Sequence, residues 1–331
     1  MVATPSFSIV IPTYDRADVV ERTLRHLAAL DYPADLYEVL VVDNSSDGTP
    51  AMVERVAREA RCEIRLLRRP DRLPAVKRNI GLREARGEHV LFLNDDVWSE
   101  PQLLREHAAS HAASRPEPAA VVGLVVQSSE MPATPFLDAY RPFAYWEIQD
   151  RADREVGYQH FWSMDLSLPR RVMLERNLLF HEDWREIGHE DIELGYRWTR
   201  AGLRVIYNPR ARVHHFHPHT LDSACRLQES IGRGLRDLES LIPEPDLLER
   251  YGVLSLRSSP RALVRGLVRT ALFNRWTVPA VRRWLGPTGR AGALPSWLYW
   301  KVMLYHTNRG YRSAAPRRVP ALETRPAGAI R

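Results

Sequence analysis

Cysteine is nearly absent from this chain of 331 residues: Cys62 and Cys225 stand far apart and form no C-x-x-C pair. That argues against a disulfide framework and against a thiolate zinc site. Long apolar runs are missing too. The longest candidate, residues 119–126, is strand-sized, whereas a spanning helix needs ~18 residues. Residues 1–7 lack a basic flank followed by an apolar stretch, so no secretory signal is expected and the cytoplasm is the expected compartment. Lysine is scarce, with Lys77 and Lys301 the only two, so the positive charge is almost wholly arginine. Acids are scarce in one place. From residue 221 onward 19 Lys+Arg face 8 Asp+Glu, and from 251 onward 15 face a single acid, Glu323. A basic tail on an acidic body points to an anionic partner.

What is present reads as a globular chain. Its apolar fraction of 44% and charged fraction of 27% exclude a wholly disordered or collagen-like polypeptide. The length suits about two domains, or one large α/β domain with an appendage. Short β-branched runs at 7–11 and 39–42, with further strand patterns at 63–67 and 89–93, alternate with helical patterns. Val19, Val20, Thr23, Leu24 and Leu27 recur at helical spacing, as do Met52, Val53 and Val56. A helix is expected over 74–85, with Pro74 in its first turn and Gly87 beyond its end. Such alternation predicts a parallel sheet with right-handed crossovers, whose ligands sit beyond the carboxyl ends of the strands. Further on, the pattern predicts a helix over 102–114, strands over 119–126, 161–168 and 203–207, a helix over 190–200, and a two-proline loop over 128–140. Past Pro218 the chain turns to helices separated by prolines and glycines, ending in a frayed segment from Arg317.

Four clusters carry chemistry. A buried strand ends in Asn94-Asp95-Asp96. Adjacent carboxylates repel unless something positive neutralises them, and a divalent cation with a diphosphate would do so; a solvated turn capping the next helix is the plainer alternative. Glu190, Asp191 and Glu193 open a helix, where they read as a general base with its supporters or as ordinary helix-dipole acids. His214, His215, His217 and His219 suggest one histidine completing an Asp-held metal, or a polar loop with incidental imidazoles. Lys77-Arg78-Asn79, with Gly81 opening a close-approach surface, offers cations to phosphate or base edges, or a solvated helix face.

In order and spacing these clusters resemble family 2 glycosyltransferases of the GT-A fold. The resemblance rests on Ser8-Ile9-Val10-Ile11-Pro12-Thr13-Tyr14-Asp15-Arg16, then Val41-Val42-Asp43-Asn44-Ser45-Ser46-Asp47-Gly48-Thr49, Arg78-Asn79-Ile80-Gly81, Ala85-Arg86-Gly87-Glu88 and Asn94-Asp95-Asp96 as the D-x-D analogue. Glu190-Asp191, Ala201-Gly202, Pro209-Arg210-Ala211 and a late histidine follow, so about 7–220 is covered. The resemblance implies a mostly parallel sheet flanked by helices over 1–220 and a basic, helical C-terminal extension over 221–331. It implies an inverting enzyme that moves one sugar from a nucleotide diphosphate donor to an acceptor hydroxyl. Pro12, Thr13, Tyr14, Asp15 and Asp43 would hold the nucleobase and ribose, with Asp95 beside them, and Arg78 would reach base or phosphate. Asp96 and His215 would ligate Mg²⁺ or Mn²⁺, His214 being the alternate. Asp191, supported by Glu190, would deprotonate the acceptor.

Two departures matter. Asn94 replaces the first acid of the motif, which weakens a role there. Arg197-Trp198 lacks the glutamine and the membrane spans of processive synthases, which favours single transfer. The alternative from another class is a non-catalytic nucleotide-sugar-binding module, and Asp191 in its context counts against it. No nucleic-acid-binding module is recognised in the tail. The acceptor, whether a glycan, a lipid-linked sugar or a small natural product, is expected to touch residues 128–159 and the tail; Trp146, Trp162 and Trp184 are candidate stacking platforms or, by default, core residues. The tail, rich in arginine and tryptophan on amphipathic patterns, suits a peripheral membrane surface, packing on the catalytic domain, or a homodimer interface.

Overall fold

A computed structural model describes residues 4–140, 145–244, 246–253 and 259–315, together with 320, 322 and 324. The expected frayed segment from Arg317 lies almost entirely outside the described residues. The chain opens with β1 (Phe7–Thr13), α1 (Ala17–Ala28), β2 (Tyr37–Asp43), α2 (Thr49–Glu59), β3 (Glu63–Arg68), α3 (Pro74–Glu84) and β4 (His89–Leu93). There follow β5 (Val97–Ser99), α4 (Leu103–Ala113), β6 (Ala119–Gln127), α5 (Pro135–Ala139), β7 (Arg154–Glu155), β8 (Asp165–Pro169), α6 (Arg170–Glu175), α7 (Glu190–Arg200) and β9 (Arg204–His215). Helices complete the chain: α8 (Leu221–Leu241), α9 (Leu247–Arg250), α10 (Pro260–Leu272), α11 (Thr277–Leu285) and α12 (Ala293–Ser313).

The strands form one mixed sheet in the order β3-β2-β1-β4-β8-β6-β9-β5, with β7 paired to β9. Parallel ladders run through β3-β2-β1-β4 and between β6 and β9, while β8, β5 and β7 join antiparallel. β2 and β4 are buried along their whole length, as their unbroken apolar runs require in a sheet covered on both faces. Alternation divides β1 between two cores. Ile9 and Ile11 join Leu24, Leu27 and Val53 on one face, and Val10 joins Leu82, Phe161 and Trp198 on the other. Gly81 belongs to this packing: a Cβ there would stand 2.3 Å from Val10 Cγ1, so the close approach it opens is to β1 and not to a ligand.

Three stretches depart from the sequence pattern. Residues 161–164 are not strand; their chain bends to meet α7, Ser163 N–H bonding Asp191 and Phe161 packing where a side chain on Gly195 would clash. The strand begins only at Asp165. The loop expected over 128–140 contains α5, capped by Thr134 Oγ1, which accepts from Leu137 N–H at 3.2 Å. Conversely, the strand expected to stop at Tyr207 continues to His215. Its ladder with β6 slips between Gly123 and Leu124, so Pro209, which has no N–H to give, sits in the irregularity. A Cβ on Gly123 would meet the Ala211 carbonyl oxygen at 2.5 Å and Asp165 Oδ2 at 2.0 Å, so the slip needs glycine.

The tail is divided. α8 and α12 lie almost backbone to backbone, since a Cβ on Gly232 would stand 2.0 Å from the Thr307 carbonyl oxygen. Leu235 and Leu238 of α8 share a core with Trp184 and Ile192, and Tyr299 and Val302 of α12 share one with Phe136 and Leu137. These parts pack on the rest of the chain; α10 does not bury its apolar side chains. Both cysteines are free and buried. Among the described residues no helix is long and apolar enough to cross a membrane.

Candidate active site

The loops after β1, β2 and β4 and the last residues of β9 meet beyond the carboxyl ends of these strands. The parallel register sets Thr13 beside Asp43 at the strand ends. Asp43 is fully buried; its Oδ1 accepts from Ser45 N–H at 2.9 Å and its Oδ2 pairs with Arg68. Asp15 adopts φ 48° and closes the gap between the two loops, its Oδ1 accepting from Ser46 N–H at 2.8 Å. Pro12 is half-buried and Tyr14 exposed beside it. Lys77 is buried, its ammonium donating to the Thr13 carbonyl and to Asn44 Oδ1. The solvated-face reading of α3 is therefore overturned, because Lys77 and Arg78 are both spent inside the molecule.

Asp95 and Asp96 follow β4, and both are buried. Thr13 Oγ1 donates to Asp95 Oδ2 at 2.7 Å. Arg16 spans the pair, with Nη1 2.7 Å from Asp95 Oδ1 and Nη2 3.0 Å from Asp96 Oδ2. The charge neutralisation expected of a cation is thus supplied in part by a residue at the start of α1. Burial pushes Asp95 up to about 6 despite Arg16. Burial acts on Asp96 in the same sense, but the imidazoles of His215 and His217 and the guanidinium of Arg16 outweigh it and hold this carboxyl far below the usual range.

Because side chains alternate along a strand, the end of β9 sends His214 and His215 to opposite sides. His214 Nε2 lies 3.1 Å from Glu100 Oε1. His215 Nε2 lies 3.6 Å from Asp96 Oδ1, and His217 Nδ1 lies 2.9 Å from Asp96 Oδ2. Ligand atoms of Asp96, His215 and His217 all fall within 4.8 Å of one another. Asp96 Oδ1 is buried and accepts no hydrogen bond, which is the orphaned acceptor a cation would satisfy. The residues present therefore fit a metal. His217 stands in the histidine cluster, but the resemblance points to His215 with His214 as alternate; the i, i+2 spacing of His215 and His217 is the signal that favours this pair.

At the start of α7, Gly188 and His189 take φ 89° and 72°, which turns the chain sharply into the helix. Its three acids are used differently. Glu193 makes a two-point pair with Arg197, both contacts 2.7 Å, and Glu190 Oε1 accepts from Arg78 Nη1 at 2.7 Å. Arg78 Nη2 also reaches Asn94 Oδ1 at 3.2 Å, so it ties α7 to the Asp95-Asp96 turn. Asp191 is held by hydrogen bonds instead: Ser163 N–H and Oγ–H donate to Oδ2 at 3.0 and 3.2 Å, and Ile192 N–H to Oδ1 at 2.9 Å. Burial, with the charge of Glu190, pushes Asp191 up to about 6. A cavity of about 580 Å³ opens beside the histidines, walled by Tyr140, Tyr145, Trp146, His215, His217 and His219 among others. Trp146 is exposed on its rim, whereas Trp184 is core.

A sheet of this topology, with buried acids and imidazoles gathered beyond its strand ends, defines a GT-A domain. The profile described as "Glycosyltransferase like family 2" matches residues 5–230, and the chain belongs to that family. Validoxylamine A glucosyltransferase of Streptomyces hygroscopicus subsp. jinggangensis is 30% identical over 275 residues, which cover 72% of this chain and 63% of that protein. Poly(ribitol-phosphate) beta-N-acetylglucosaminyltransferase TarS of Staphylococcus aureus is 34% identical over 104 residues, 31% of this chain and 18% of TarS. The chain thus spans less than two thirds of the length of these curated relatives. Among solved structures, the mannosyltransferase PcManGT of Pyrobaculum calidifontis, in complex with GDP-Man and Mn²⁺, has a TM-score of 0.59 at 20% identity and covers 94% of this chain and 88% of its own. S. aureus TarS 1-349 with UDP-GlcNAc has a TM-score of 0.52 at 17% identity, with coverage of 93% and 91%.

Proposed function

We propose that the protein is an inverting, metal-dependent glycosyltransferase, making a single transfer from a nucleotide diphosphate sugar to an acceptor hydroxyl. The observation that carries this reading is the state of the α7 acids: Glu190 and Glu193 are ion-paired, and Asp191 stands between them as a hydrogen-bonded carboxylate raised to about 6. That value suits a base that is ionised near neutral pH yet takes a proton readily. Family membership and the nucleotide sugars bound by the structural neighbours support the same reading.

In this mechanism Thr13, Tyr14, Asp15 and Asp43 hold the nucleoside, with Pro12 and Asp95 shaping its pocket. Arg78 fixes Glu190 and thereby the first turn of α7. Asp191 accepts the proton of the acceptor hydroxyl as that oxygen bonds to the anomeric carbon. The bond from that carbon to the diphosphate breaks on the opposite face, its electron pair leaving with the diphosphate, so the configuration inverts. A cation held by Asp96, His215 and His217 would offset charge on the departing diphosphate. A donor set with two imidazoles favours Mn²⁺ over Mg²⁺, which prefers oxygen ligands. The cavity beside the histidines receives the acceptor, whether a glycan, a lipid-linked sugar or a small natural product. Residues 1–220 form the catalytic unit, and 221–331 are appended to it, mainly helical where they are described.

The test is calorimetric titration with a panel of nucleoside diphosphates in the presence of Mn²⁺, followed by assignment of the anomeric configuration of product by nuclear magnetic resonance. One diphosphate should bind only with the cation, and Asp96→Asn should abolish that dependence while the fold survives. Unchanged affinity in Asp96→Asn would remove the metal role, and a product that retains the donor configuration would reject the mechanism.

A further inference from the structure

Apolar exposure in this molecule is concentrated in one region. Of the thirteen large hydrophobic side chains exposed among the described residues, ten lie between Leu263 and Trp300. On α10, Val264, Leu267, Val268 and Leu272 are each 56–68% exposed. Gly266 and Phe273, seven residues apart, are buried, and Phe273 joins the core shared with α12. Arg261 and Arg265 are exposed along the border of the apolar arc. Trp276, Trp284, Trp297 and Trp300 continue the exposure beyond the helix, 44–74% open. Arg275, Arg290 and Lys301 stand over the rings of Trp276, Trp284 and Trp297 at 4.7, 5.1 and 5.4 Å.

A monomer rarely leaves so many large apolar side chains open in one segment without an occupant, and charge identifies the occupant here. No acidic residue falls between 251 and 322. A second copy brought face to face would set arginine against arginine with no local carboxylate in reply, so self-association is disfavoured. A bilayer with anionic headgroups answers every element at once. Leucine and valine enter the acyl boundary, tryptophan sits at headgroup depth with its polar edge outward, and the guanidinium groups meet phosphate. We propose that the 260–301 region, led by α10, is a peripheral docking surface for anionic membrane. It joins the wall of the active-site cavity directly. Phe136 N–H of α5 donates to the Thr288 carbonyl at 3.0 Å and the Phe136 ring meets Tyr299 edge-on at 5.3 Å, while the next residues of α5, Leu137 and Asp138, line the cavity.

The experiment is cosedimentation of the full chain with vesicles of phosphatidylcholine alone or mixed with phosphatidylglycerol. Binding to the mixed vesicles should exceed binding to the neutral ones, shift tryptophan emission to the blue, and weaken as salt shortens the range of attraction to about 8 Å. Leu267→Glu with Val268→Glu should lower the partition by about tenfold or more, and Arg261→Glu with Arg265→Glu should remove the anionic preference. Both pairs are at exposed positions, so the melting temperature should not move and loss of binding is not loss of fold. Equal binding to both vesicle types at low salt would overturn the proposal, as would wild-type partition in Leu267→Glu/Val268→Glu. A dimer seen by light scattering that this double variant dissolves, without any lipid binding by the wild type, would assign the surface to a second copy.

Discussion

Asp191→Asn should make the protein more stable and nearly inactive at the same time. Burial and Glu190 raise Asp191 to about 6, roughly two pH units above a free aspartate at about 1.4 kcal/mol each, so its ionised form carries a native-state cost of about 3 kcal/mol. Asparagine removes the charge and keeps the bonds from Ser163 through its carbonyl oxygen. Its amide then faces Ile192 N–H, which loses an acceptor at a cost of about 1 kcal/mol. The expected net gain near neutral pH is about 1–2 kcal/mol. The sign follows from proton binding. The native state takes up this proton at a higher pH than the unfolded chain, so wild-type stability from this group is lost as pH rises through about 6 and is complete below about pH 4. The advantage of the variant should therefore shrink as pH falls through that window. Turnover should drop by about 10²–10⁴-fold with donor affinity retained, and wild-type turnover should itself decline below about pH 6. Urea unfolding at two pH values, steady-state kinetics and donor calorimetry read these effects. A variant destabilised near neutral pH would refute the electrostatic cost, and turnover within about tenfold of wild type would remove Asp191 as the base.

Arg16→Ala leaves Asp95 and Asp96 without their guanidinium, which should cost about 1–3 kcal/mol in metal-free buffer given its partial exposure. Added Mn²⁺ should then raise the melting temperature more than in wild type, and an equal gain would show that the cation does not meet these carboxylates. His217→Ala should weaken Mn²⁺ binding in calorimetry at least about tenfold, or about 1.4 kcal/mol, while His214→Ala, which faces Glu100, should not; the reverse result would reassign the ligand. Gly81→Ala places a Cβ 2.3 Å from Val10 Cγ1 and should destabilise by about 1–3 kcal/mol in chemical denaturation, with no direct effect on donor affinity; unaltered stability would show that α3 can withdraw from the sheet.

Local pattern carried most of the fold. The alternation of β-branched runs with helical spacing reads directly as β1 to β4 with α1 to α3, because each is a separate stretch whose buried face is fixed by period 2 or 3.6. The order of motifs along the chain was equally legible, and it contains Asp43, Asp95, Asp96 and Asp191, the acids now proposed for the site. Boundaries failed where a segment answers to a distant partner. Residues 161–164 have strand composition but turn so that Ser163 N–H meets Asp191, and β9 runs past Pro209 only because Gly123 on another strand lets the ladder slip.

Pairing is what the sequence could not express. That the acids near residue 95 need a positive neighbour follows from their adjacency alone. That the neighbour is Arg16, that Arg78 turns toward Glu190 and Asn94, and that His217 rather than His214 meets Asp96 are facts about side chains brought together from 16 to 121 positions apart. The same holds in the tail. Composition announced arginine beside tryptophan with no acids, but only packing decided that α8 and α12 bury their apolar faces while α10 leaves its own open. Periodicity reports which face of an element is apolar, because that is a property of neighbours along the chain. What covers that face depends on shape and charge contributed by residues far away in sequence, and the tertiary structure alone supplies them.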